Sequence, residues 1–126
     1  MTLVLDAGGL IGFDRGDRGV AALVEAARHR REPVSTSSGC VAQAWRGDGR
    51  RQTLLARLLR GAHEHGLGDR SSRPVGTLCA RAGTNDVVDA HLALLVHDGD
   101  VVLTSDDADI SHLLRAAGTD ADVRHC

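Results

Sequence analysis

With 126 residues and a formal net charge of −2, the chain can bury one hydrophobic core but has no global attraction for polyanions. Phe13 and Trp45 are its only Phe, Tyr or Trp residues, which excludes a base-stacking platform. Cys40, Cys79 and Cys126 are odd in number and lack CxxC spacing, which argues against a disulfide framework or a zinc site.

In chain order, TLVL (2–5) is a short apolar run ending at Asp6 and reads as a buried strand, broken by Gly8 and Gly9. Val20, Leu23, Val24 and Ala27 recur at helical spacing, with Glu25, Arg28 and Arg30 on the other side. Pro33 stops that helix, and PVST (33–36) is a second strand. From Ser38 a helix carries Val41, Ala42 and Trp45, then pauses at Gly47 and Gly49. Leu54, Leu55, Leu58 and Leu59 form the stripe of another helix, expected to be core. Residues 62–72 read as a weak edge strand and a loop.

Pro74 suits the first turn of a short helix through Ala82. Thr84 and Asn85 can cap the next, whose apolar positions run from Val87 to Val96. VVLT (101–104) is the clearest strand, Ile110, Leu113 and Leu114 mark a helix, and ADVRH (121–125) is a last strand. Strands alternating with helices give a parallel sheet covered on both faces, a three-layer α/β domain over residues 1–126. No stretch has the length and apolarity of a membrane span and no basic leader precedes one, so the expectation is a cytoplasmic protein.

The acids fall in a pattern. Ligands of open parallel sheets bind beyond the carboxyl ends of the strands, where the chain order reverses. Asp6 follows one central strand and Asp106 another, and Asp86 and Asp89 lie three apart on one face at the start of a helix. Carboxylates brought that close repel, and a divalent cation removes the difficulty; all-oxygen ligands point to Mg²⁺ or Mn²⁺. Each acid also has a duller reading. Asp106 with Asp109 resembles a helix-capping pair, Asp86 a first-turn helix acid, and Asp107 a solvated residue. Asp6 resists most, because no periodic helix follows it.

Four ordered patches, "VLDAGGLIGFDRGD", "VSTSSGCVAQAWR", "GTNDVVDAHLALL" and "VVLTSDDADI", resemble the PIN domain. The likeness is to the VapC-type toxin ribonucleases of bacterial toxin–antitoxin pairs. It implies a three-layer PIN-like domain that hydrolyses RNA through an acidic Mg²⁺ or Mn²⁺ site. It places Asp6, Asp86 and Asp106 as the first, third and fourth acids, with Asp109 auxiliary to the metal. The second acid should be a glutamate, and Gln43 stands there; position 8, where a Ser or Thr often supports the site, is Gly. The role of Asp89 stays open.

A glutamine offers a carbonyl oxygen or holds a water, but supplies neither charge nor a base. Two readings therefore stand: a ribonuclease working with Gln43 in its shell, or a catalytically impaired module that binds antitoxin or RNA without turnover. Because an acidic pocket repels phosphates, RNA would be gripped elsewhere, by Arg46, Arg50 and Arg57 with Arg60 if they share a helical side. The alternative for these arginines is a solvated helix face. The resemblance further implies a cognate antitoxin and a homodimer.

Overall fold

Strand-forming runs too apolar to face water decide the architecture. Successive strand residues point to opposite faces, yet every residue of β1 (Leu3–Leu5) and β4 (Val101–Thr104) is buried. Both faces of the sheet are therefore covered. The structure is a computed structural model that describes residues 1–47 and 52–126. Its elements run β1, α1 (Ala7–Asp14), α2 (Arg18–His29), β2 (Val34–Ser37), α3 (Ser38–Ala44), α4 (Thr53–Gly61), β3 (His63–His65), α5 (Asp69–Ala82), α6 (Val87–Leu94), β4, α7 (Asp107–Ala117) and β5 (Asp122–His125).

The strands form one parallel sheet in the order β3-β2-β1-β4-β5, with helices flanking it, as the three-layer expectation required. The chain order reverses at β1, so β1 and β4 are central neighbours, with Leu5 paired to Leu103. β3 and β5 are short, largely exposed edges. Helices α1, α2 and α4 pack together, as do α5, α6 and α7. The core between them is aliphatic, with Leu5, Leu10, Leu55, Leu92, Leu103 and Ile110 almost wholly buried.

Three local expectations need correction. Gly8 and Gly9 do not break the chain after β1; they lie inside α1, and Asp6 caps that helix by accepting from the Gly9 N–H at 2.9 Å. Pro74 sits well inside α5, which starts at Asp69. Burial of Val75, Leu78 and Cys79 on that helix outweighs the one donor the proline lacks. The cap of α6 is Asp86; Thr84 instead accepts the Asp86 N–H through Oγ1 at 3.1 Å.

The amino ends of β1 and β4 are clipped together by Asp100, a buried carboxylate in the turn before β4. Oδ1 accepts the Thr2 N–H and Oδ2 the His97 N–H, both at 2.8 Å. Asp100→Ala strands two backbone donors and should cost about 2–4 kcal/mol, read as a lower urea midpoint. Asp100→Asn keeps one acceptor and should lose clearly less. Equal losses would mean the bonds contribute nothing beyond shape.

Candidate metal centre

The centre is built where β1 and β4 end side by side. The Asp6 N–H donates to the Leu103 carbonyl at 3.1 Å, which holds the two strand ends in register. Asp6 is 5 % exposed, and its second carboxylate oxygen accepts from Thr104 Oγ1 at 2.5 Å. The same Thr104 oxygen accepts the Asp106 N–H at 2.8 Å. One fully buried hydroxyl thus joins the first acid to the loop carrying the fourth. Burial raises the Asp6 carboxyl above its ordinary range, opposed by the bonds from Thr104, Gly9 and Gly8.

Helix α6 brings the other acids. Asp86 at its N-cap accepts the Asp89 N–H at 3.0 Å, and Asp89 lies one turn inside. Oxygens of Asp89, Asp106 and Asp109 lie within 4.8 Å of one another. Asp106 occupies the N-cap position of α7, so it starts that helix as well as joining the acidic cluster.

The crowding has an electrostatic signature. Asp89 is pushed up to about 7 by desolvation first, then by the charge of Asp86 and a hydrogen bond with it, and further by the charges of Asp6 and Asp106. Asp106 is raised as well, by desolvation and by its hydrogen bond with Asp109 and that residue's charge. Like charges held this close favour a cation between them. Mg²⁺ takes oxygen ligands at about 2.1 Å, so ligands on opposite sides stand about 4.2 Å apart. Adjacent ligands stand closer still, so the three carboxylates would draw in around an ion, and the all-oxygen donor set fits a hard divalent one. Beside them a cleft of about 260 Å³ is lined by Asp86, Asp89, Asp109 and His112, whose Nε2 lies 2.8 Å from the Ala82 carbonyl oxygen.

Asp89 is the residue whose role the residue pattern left open; the signal was its three-residue spacing from Asp86 on one helix face. Gln43 is exposed near the end of α3, and its backbone carbonyl accepts from Arg46 Nη2 at 2.6 Å. Arg46 lies past that helix with Nη1 donating to the Trp45 carbonyl, so its guanidinium folds onto the helix end. Arg57 and Arg60 line a different groove of about 450 Å³ together with Arg28, over Phe13, Val24, Leu54 and Leu58. That groove reaches Val34 at the amino end of β2, whereas the acids lie at the carboxyl ends. Leu55 and Leu58 are core as expected, but Leu54 is exposed in this groove. Arg50 lies outside the described residues. Asp107 is on the surface, as expected, and its pairing with His125 lowers its carboxyl pKa.

Among solved structures the chain is similar to one described as the crystal structure of VapBC2 from Rickettsia felis bound to a DNA fragment from their promoter. The TM-score is 0.68 at 12 % identity, over 98 % of this chain and 99 % of that chain. The fold is PIN-like. At that identity the likeness speaks for the fold alone. No protein-family model matches the chain, and no curated protein sequence does.

Proposed function

We propose that the chain is a Mg²⁺- or Mn²⁺-dependent endoribonuclease, the VapC-type toxin of a bacterial type II toxin–antitoxin pair. The reading rests on one observation: Asp89, Asp106 and Asp109 converge within 4.8 Å at the topological switch point of a PIN-like sheet. Asp89, Asp106 and Asp109 hold the ion; Asp6 and Asp86 supply negative charge behind it, and Asp86 caps α6, the helix that carries Asp89. When bound, the ion lowers the pKa of water and neutralises charge on the phosphate. Asp89 returns to the site a carboxylate that Gln43 lacks. Gln43 can orient water through its amide but cannot take its proton. The protein works as one cytoplasmic domain, its three thiols free, and is held in check by a cognate antitoxin.

Gln43 is also the observation behind the second reading, a module that binds without turnover. One experiment separates them: cleavage of a mixed RNA pool by antitoxin-free protein in Mn²⁺, with EDTA, Asp106→Asn and Gln43→Glu beside wild type. The enzyme reading expects wild-type cutting that EDTA abolishes, that Asp106→Asn reduces about 100-fold or more, and that added antitoxin silences. Cutting by Gln43→Glu alone would establish the binding module instead. If neither protein cuts, the enzyme reading is abandoned.

A further inference from the structure

Gly8 lies in the first turn of α1 with an ordinary helical backbone; it is not one of the residues with positive φ. Its missing side chain is therefore not a demand of conformation. It is a demand of space. A Cβ at position 8 would lie 2.2 Å from Ser105 Oγ, 2.6 Å from Ser105 Cβ and 2.9 Å from the Ser105 backbone nitrogen. Carbon atoms pack at about 3.5–4.0 Å. The hydroxyl can rotate aside, but Cβ and the backbone nitrogen can yield only if the chain moves at 105. Ser105 is the link between Thr104, bonded to Asp6, and Asp106, whose N–H is bonded back to Thr104. On the other side, the Gly8 and Gly9 backbones both hydrogen-bond the Asp6 carboxylate.

We propose that Ser105, seated on the bare face of Gly8, is a positioning residue that sets the separation between the Asp6 turn and the Asp106 turn. The inference rests on the metal-centre reading and adds a device to it: side-chain volume at positions 8 and 105 is shared. Any side chain at 8 pushes the β4–α7 loop away from α1 and carries Asp106 out of register with its partners. An empty position 105 removes the 2.2 Å and 2.6 Å clashes of the serine side chain and leaves only the backbone nitrogen, at 2.9 Å, to give way.

The test is a double-mutant cycle of Gly8→Ser, Ser105→Gly and Gly8→Ser/Ser105→Gly, with Gly8→Ala as the smaller substitute should Gly8→Ser not fold. Mn²⁺ affinity by titration calorimetry and the urea midpoint are read on all of them. Gly8→Ser should weaken Mn²⁺ binding about ten-fold or more. The double variant should bind Mn²⁺ at least about three-fold more tightly than Gly8→Ser alone, so that the two changes are non-additive. A Gly8→Ser deficit that persists unchanged in the Ser105→Gly background overturns the proposal. So does coupling confined to the urea midpoint, which would make the contact merely structural. Wild type that binds no Mn²⁺ removes the metal-centre reading itself, an outcome distinct from additive behaviour in a protein that binds.

Discussion

Asp89→Asn should make the metal-free protein more stable while abolishing its response to divalent cations. The carboxyl of Asp89 is half-buried among four other acids and pushed from 3.8 to about 7. A shift of that size corresponds to about 4 kcal/mol against ionisation. Solvent screening of a half-exposed group leaves about 1–2 kcal/mol as the expected gain. The sign follows from linkage. A carboxyl whose folded pKa lies above its unfolded value favours the fold while protonated, and that contribution is lost as pH rises through the folded pKa. Metal-free wild type should therefore lose stability between about pH 4 and pH 7, and Asp89→Asn should lack that part of the slope. With Mn²⁺ the order reverses, because binding to the native state alone raises stability by mass action and only wild type keeps all three ligands. Thermal midpoints in EDTA and in Mn²⁺, across that pH range, check both halves. Equal Mn²⁺-induced shifts in the two proteins would take Asp89 out of the ligand set.

Much of this is legible in the sequence. Period and composition are strong where burial is complete, so VVLT and TLVL announce central strands, and acids directly after them must meet at one sheet edge. What the chain hid is tertiary. Gly8 and Gly9 look like a break because glycine is costly in a helix, yet the Asp6 cap and the close approach of Ser105 make a glycine-rich first turn the one that fits. Pro74 looks like a helix start because local sequence does not register the core burial of Val75 and Leu78. The spacing of Asp86 and Asp89 puts both on one face, but whether Asp89 faces solvent or Asp106 depends on how α6 lies against β2 and α7. The arginines mislead similarly. Like charge along 46–60 suggests one track, and the fold splits it between the end of α3 and a groove at the other end of the strands.

Thr104→Val is expected to be the most damaging single change outside the carboxylates. Valine matches the shape of threonine, so packing in β4 is kept and the hydroxyl alone is removed. That hydroxyl, itself fully buried, donates to Asp6 and accepts from the Asp106 N–H. Its loss leaves a buried carboxylate short of a donor and a backbone N–H short of an acceptor, about 2–4 kcal/mol together. Thr104 is also the strongest of the bonds holding the Asp6 pKa down against burial, so Asp6 should rise further and ionise less readily. The fourth-acid loop then loses both its tether and part of the charge behind it, and Mn²⁺ affinity should fall about 10–100-fold, more at lower pH. Thr104→Ser keeps the hydroxyl and gives up one methyl, about 1 kcal/mol, and should bind Mn²⁺ nearly as wild type. Urea midpoints and Mn²⁺ titrations on the two variants separate the roles. If valine and serine weaken Mn²⁺ binding equally, the hydroxyl organises the centre no more than the packing of the methyl does. If valine costs stability but leaves Mn²⁺ affinity unchanged, the tie between Asp6 and Asp106 belongs to the fold and not to the metal.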